Sequence, residues 1–177
     1  MNQKWTNPLV AALILTASFD FASHAADLKP AGESQFISHT RQFIYEGKRS
    51  GEGYFSPDGK ALIFQSEREA ENPFYQIYIL NLETGDSHRV SPGHGKTTCS
   101  FFRPGSDEVL FASTHLDPQA KQKQADELAF RASGKSRRYS WDYDEHMDIF
   151  VAKRDGTKIR QLTKSQGYDA EDRKSVV

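Results

Sequence analysis

Gly53-Tyr54-Phe55-Ser56-Pro57-Asp58-Gly59-Lys60-Ala61-Leu62-Ile63-Phe64-Gln65-Ser66 recurs further on as Cys99-Ser100-Phe101-Phe102-Arg103-Pro104-Gly105-Ser106-Asp107-Glu108-Val109-Leu110-Phe111-Ala112-Ser113. Each copy reads as an aromatic strand, a Pro/Gly/Asp turn, and an apolar strand ending in a small polar residue. Pro57 and Pro104 stand 47 residues apart. A repeat of that length is the mark of a solenoid or a propeller, whose units bury their apolar faces against one another.

Working outward from the pair, strands alternate with turns. Gly53-Tyr54-Phe55 and the stretches 61–65, 76–80 and 87–90 read as the four strands of a first unit. Ile77-Tyr78-Ile79-Leu80 is β-branched and aromatic, as strand interiors prefer. Ser56-Pro57-Asp58-Gly59 suits a type I turn, with Pro second and Gly fourth. Glu83-Thr84-Gly85-Asp86 links two strands, and Arg154-Asp155-Gly156-Thr157 carries an Asp-Gly hairpin signal. The second unit follows the same order at 98–102, 109–113, 148–152 and 158–163, broken by an insertion at 116–143. Inside the insertion, Ala125, Leu128, Ala129 and Ala132 fall at helical spacing and predict a helix over 119–132 with those residues on its apolar face. Four strands per unit, arranged as two hairpins, is the pattern of a propeller blade. The fold class is therefore all-β: a partial β-propeller of two four-stranded blades, with a short helical insertion.

A third alignment runs at an offset of 119: Arg41-Gln42-Phe43 on Arg160-Gln161-Leu162, and Glu52 on Glu171. It makes 39–44 the outer strand of a third blade, and it places the start of another blade after Glu171. There the chain reads Asp172-Arg173-Lys174-Ser175-Val176-Val177. These six residues match the translation of a sequencing adapter, so 172–177 is expected to be a non-native tail on a longer protein. Strands such as Leu62-Ile63-Phe64 and Val109-Leu110-Phe111 are then expected to lack half their packing partners.

Lys4 and the apolar run 8–17 form a secretory signal, too short to span a bilayer; Ser23-His24-Ala25 supplies the small residues for cleavage after Ala25. The chain thus divides into a signal peptide at 1–25, a linker at 26–38 and the partial propeller at 39–171. No Cys follows the apolar run, and a periplasmic location is expected, with no membrane span after cleavage. Aromatics are 12% of the chain, net charge is -1 and mean hydropathy is -0.70. Such a balance disfavours a nucleic-acid surface. The one basic run, Lys135-Ser136-Arg137-Arg138, is offset by Asp142, Asp144 and Glu145 and reads as a solvated loop. The single Cys99 can form neither an internal disulfide nor a structural zinc site, and its aromatic strand predicts a buried, inert thiol.

These residues together resemble the TolB-like, WD40-like β-propeller repeats. The carriers are Ser56-Pro57-Asp58-Gly59, Leu62-Ile63-Phe64-Gln65-Ser66, Ile77-Tyr78-Ile79, and Asp155-Gly156 with Arg160, Leu162 and Thr163. The match spans about 39–171. At the second turn Pro104 is kept and the glycine shifts to Gly105, a turn variant. The resemblance implies a non-enzymatic scaffold in the cell envelope that binds a protein or peptide partner. In that family the propeller serves the Tol system and contacts peptidoglycan-associated lipoprotein. Residues 26–38 are too short to hold the family's N-terminal domain. The alternative is the propeller of an exported peptidase, of prolyl-oligopeptidase type or fused to a zinc aminopeptidase, whose catalytic domain lies elsewhere.

Few residues invite chemistry. Gly95-Lys96-Thr97 lacks the earlier glycine of a phosphate loop, since position 90 is Val, and no helix follows. Asp142-Tyr143-Asp144-Glu145-His146-Met147-Asp148 has Met147 and His146 where a calcium loop needs Gly and an oxygen ligand. His94 precedes the first strand of its blade, which carries Cys99, while His115 and Asp117 follow the next strand. His94, His115 and Asp117 are therefore candidates for a ligand-binding group on one rim. Arg41, Arg89 and Arg160 recur once per unit and read as one structural ion pair or hydrogen bond per blade. No nucleophile elbow or metal set is present, so no catalytic residue, metal or cofactor is assigned.

Overall fold

The computed structural model describes Gly32 and residues 36–138 and 143–170. The expected signal peptide, most of the expected linker, Glu171 and the expected tail at 172–177 lie outside these residues. The chain forms two compact units, Met1–Arg41 and Gln42–Val177, and both blades belong to the second.

The first sheet comprises β1 (Arg49–Phe55), β2 (Ala61–Glu67), β3 (Gln76–Asn81) and β4 (Ser87–Arg89). The second comprises β5 (Thr97–Phe102), β6 (Glu108–Ser113), β7 (Asp148–Lys153) and β8 (Arg160–Gln161), with helix α1 (Ala120–Ala132) between β6 and β7. Both are antiparallel and paired in chain order, β1-β2-β3-β4 and β5-β6-β7-β8, the four-stranded meander of a propeller blade.

The turns form for local reasons. Ser56 Oγ donates to Asp58 Oδ1 at 2.6 Å and accepts from the Ala61 N–H at 2.9 Å, while Gly59 N–H bonds Ser56 O at 2.9 Å with φ +70°. In the second copy the bond runs from Ser106 N–H to Arg103 O at 3.4 Å, and the positive φ moves one place earlier, to Gly105 at +68°. The displaced glycine is thus a turn variant that closes the same hairpin.

β2 and β3 pair without a break from Ala61↔Asn81 to Ser66↔Gln76, as do β6 and β7 from Glu108↔Lys153 to Ser113↔Asp148. The first strand of each blade is bulged: register shifts between Gly51 and Tyr54 in β1, and between Thr98 and Phe101 in β5. An extra residue left out of the ladder bends the strand and sharpens its twist.

The main core lies between the sheets, where Ile63, Ile77, Ile79 and Val90 of the first blade meet Phe102, Val109, Phe111, Phe150 and Ala152 of the second. Tyr54 and Phe101 bridge the first strands edge to face at 5.4 Å. On the first blade's other face, Leu62, Phe64, Tyr78 and Leu80 pack with Ile44 and Leu82, and the Arg68 guanidinium covers the Phe64 and Tyr78 rings at 5.2 and 4.7 Å. The expected lack of partners is not met at Leu62, Ile63, Phe64, Val109 and Phe111, which are buried, whereas Leu110 is only half-buried. Cys99 is half-buried rather than buried.

Two expectations need correction. Residues 39–44 join no sheet, so the outer strand of a third blade does not form; a lone strand has no ladder to satisfy its backbone. The offset of 119 is still visible in the backbone, because His39 and its counterpart Lys158 both have positive φ, 57° and 54°. Nor does Arg89 coincide with Arg160. Ser91 Oγ accepts from Ile77 N–H and donates to Gln76, as Thr163 Oγ1 accepts from Ile149 N–H and donates to Asp148. This register superposes Arg89 on Gln161, not on Arg160. Arg89 pairs with Glu69 at 2.5 Å, whereas Arg41 and Arg160 make no ion pair among the described residues.

Candidate functional site

β5 begins where β6 ends, with Thr97 opposite Ser113, so the segments before β5 and after β6 share one rim of the second blade. His94, His115 and Asp117 all lie there. The two histidines touch: their rings meet edge to face at 6.0 Å, and His94 Nε2 lies 3.0 Å from His115 O. The His115 ring also packs tilted against Phe150, with ring centres 4.2 Å apart, and its Nδ1 meets Ser113 Oγ at 3.0 Å. Burial, aided by the neighbouring His94, lowers the His115 pKa from 6.5 to about 4, so the ring is neutral at physiological pH. Asp117 sits apart from this pair. It accepts from the Gln119 N–H at 2.8 Å and holds Lys123 Nζ at 2.7 Å, with His146 at 3.7 Å. The rim thus gathers all three residues but splits them between a packed histidine pair and a salt bridge. The salt bridge's cation, Lys123, also lines the cleft described below. Cys99 lies within β5, away from the rim segments.

Gly95 is the joint of this rim. Its N–H donates to Gln124 Oε1 at 2.8 Å, and its carbonyl accepts from Asn72 Nδ2 at 3.0 Å and Gln76 Nε2 at 2.9 Å. Its φ is +71°, and a Cβ there would come within 2.9 Å of the His115 backbone N, so only glycine fits. This joint brings first-blade side chains, the inserted helix and the β5 entry to one point.

The helix docks through polar groups, contrary to the predicted apolar face. Ala125, Ala129 and Ala132 are exposed and Leu128 is half-buried, while Ala120 and Gln124 are buried. Gln124 Nε2 donates to Glu71 O at 3.0 Å, and Arg131 donates to Glu67 Oε1 at 2.8 Å and Pro73 O at 3.0 Å. The buried Glu67 carboxylate also takes Arg49 at 2.8 Å and Lys48 at 3.7 Å. Small alanines offer little area to bury, so the hydrogen-bonding face wins.

Between the helix and the blade edges lies a cleft of about 1070 Å³. Its walls carry Arg49, Lys96, Lys123, Arg131, Arg137 and Arg138. Three of these cations lie against aromatic faces: Arg49 over Tyr75 at 4.7 Å, Lys96 over Phe74 at 5.4 Å and Arg137 over Phe130 at 4.7 Å. Tyr143 and Tyr168 stack at 5.7 Å and line the same cleft. The buried Asp144 receives Lys96 Nζ at 3.3 Å and Lys123 Nζ at 3.1 Å. Burial pushes the Asp144 carboxyl up, but the Lys123 hydrogen bond, the His146 N–H and the Lys96 charge outweigh it and hold the pKa below 3.8. Asp117 is likewise held below 3.8, its burial outweighed by Lys123 and the Gln119 N–H. Asp144 is therefore occupied by lysines rather than available to a calcium ion; Asp142 lies outside the described residues. Among those residues, no group of three His, Cys, Asp or Glu side chains is placed to hold a metal.

Sequence reasoning found the rim but missed the cleft. Its residues are scattered from Arg49 to Tyr168, and only the 135–138 basic run signalled it. That run is exposed, as expected of a solvated loop, yet Arg137 and Arg138 line the cleft.

Blades in this order, with a rim cleft built by an insertion, define a β-propeller scaffold. The structure is similar to that of a putative TolB from Agrobacterium tumefaciens, at 18% identity and a TM-score of 0.47, covering 67% of this chain and 35% of that one. It is also similar to TolB from Acinetobacter baumannii, at 16% identity and a TM-score of 0.44, covering 72% of this chain and 24% of that one. The chain thus spans well under half the length of either structure. No family model and no curated protein matches the chain.

Proposed function

We propose that this chain is part of a non-enzymatic, exported propeller scaffold that binds a protein or peptide partner in the cell envelope. One observation carries the reading: the cleft of about 1070 Å³ between the inserted helix and the edges of both blades, walled by cations and aromatic rings. Propeller rims concentrate loops on a rigid sheet base, and aromatic and arginine side chains are the usual anchors of protein recognition. The signal-like segment 1–25 supports export. Among the described residues, no helix is long and apolar enough to cross a membrane.

The test is site-specific photo-crosslinking in producing cells. A photoreactive phenylalanine analogue replaces Tyr143, with Lys60, at the opposite end of β2, as the control position. The expected result is a discrete adduct from position 143 alone, recovered by osmotic shock. Retention of the chain in the cytoplasm, or adducts indifferent to position, would reject the reading.

A further inference from the structure

We infer that the cleft takes an acidic peptide segment, one that sets carboxylates beside an aromatic side chain. This rests on the binding role just proposed and names the chemistry of its partner.

The first observation is how the charges are used. Among the described residues, the lining holds six cations against three carboxylates, Asp126, Glu127 and Asp144. Asp144 and Glu127 are occupied by cations, whereas the exposed Asp126 accepts only from a neutral amide. Asp144 accepts from Lys96, Lys123 and the His146 N–H; Glu127 accepts from Arg131 and Arg137; Asp126 accepts from Gln122. Behind them Glu67 is filled by Arg49 and Arg131. Guanidinium donors remain. Arg138 makes no ion pair or hydrogen bond among the described residues, and Arg137 is held to Glu127 through Nη2. A guanidinium offers five N–H donors and no acceptor. A ligand must therefore bring acceptors, and a carboxylate brings them with the matching charge and fork geometry.

The second observation is the flat surface beside the charges. Tyr143, 64% exposed, stacks with Tyr168, and Phe74 and Tyr75 lie under Lys96 and Arg49. An aromatic ring of the ligand would stack there. The cleft exceeds the usual small-molecule range of about 300–1,000 Å³ and has room for a short segment of chain. Three carboxylates within the wall disfavour an unbroken polyanion such as a nucleic acid, and they tolerate side-chain carboxylates spaced by neutral residues.

The experiment uses the full chain and fluorescence polarisation with a labelled Glu-Asp-Trp-Glu-Asp peptide. Gln-Asn-Trp-Gln-Asn, Lys-Arg-Trp-Lys-Arg and oligodeoxythymidylate are the competitors. Arg138→Glu alters an exposed cleft wall; Lys121→Glu makes the same charge change on α1 outside the cleft. We expect the acidic peptide alone to bind, with affinity falling as salt is raised. Arg138→Glu should weaken it about tenfold or more, and Lys121→Glu about twofold or less. Equal losses in the two variants, equal binding of any competitor, or no binding of the acidic peptide would overturn the proposal. If a neutral or basic peptide binds and the crosslink at 143 persists, the partner's chemistry is wrong and the binding role stands. If no peptide binds and no crosslink forms, the binding role falls as well.

Discussion

Glu52 and Cys99 stand 47 residues apart and hold the same left-handed backbone conformation, with φ of 43° and 52°, each at the bulge of its blade's first strand. The repeat therefore preserves an unfavourable conformation although the side chains share nothing. A left-handed residue other than glycine costs about 1–2 kcal/mol, offset by about 0.5–1 kcal/mol of extra chain entropy that glycine loses on folding. Cys99→Gly is expected to leave stability unchanged or raise it by up to about 1 kcal/mol. Cys99→Val, β-branched at positive φ, should lower it by about 1–2 kcal/mol. Urea midpoints that move in the same direction for both variants would contradict the bulge assignment.

Glu67 is the charge on which helix and first blade converge, held by Arg49 and Arg131 with its side chain 2% exposed. Removing one member of a buried pair costs about 3–5 kcal/mol, less where its partners are half in water. Glu67→Gln is expected to cost about 2 kcal/mol by urea unfolding and to speed amide exchange in α1. Replacement without loss would mean that the helix is held by its other contacts.

Stability should fall with acid in two separable stages. His115 is lowered from 6.5 to about 4 in the folded chain, so the unfolded chain takes up the proton first. Its contribution is full above about pH 6.5, declines between about 6.5 and 4, and amounts to at most about 3 kcal/mol. Asp117 and Asp144 lie below their ordinary 3.8 when folded, so their contribution is full above about pH 4 and is lost as pH falls through the lowered values. Urea midpoints across pH should show both limbs. His115→Phe should remove the upper one and leave the lower; loss of both limbs, or of neither, would refute the separation.

The helix offers a direct contrast of faces. Gln124→Leu leaves the Gly95 N–H and Glu71 O without their partner, a loss of about 1–3 kcal/mol for a buried donor. Ala129→Lys, on the face that periodicity alone would bury, should change stability by less than about 0.5 kcal/mol. The reverse order, measured by thermal unfolding, would restore the apolar face to the interior.

The blades were legible because strands write their own punctuation: Pro57 and Gly59, Pro104 and Gly105, and Asp155 and Gly156 each close a hairpin through local bonds. Register was less legible. Arg89 and Arg160 share a letter but not a place, since Ser91 and Thr163, through their hydroxyl bonds to Ile77 and Ile149, set the alignment. The helix was placed but turned the wrong way, because periodicity detects apolar spacing and cannot see that Gln124 and Arg131 have carbonyl and carboxylate partners far off in sequence. The cleft was illegible for the same reason: Arg49, Lys96, Arg138 and Tyr168 become neighbours only when the blades stack.

No side chain of α1 belongs to any of the three hydrophobic clusters. The helix is fastened to the rim by charges and hydrogen bonds, while oil-like contacts hold the blades. What the cleft recognises can therefore be rewritten, by exchanging or retuning residues 116–143, without disturbing what keeps the sheets together: the chain separates a durable chassis from an interchangeable tool.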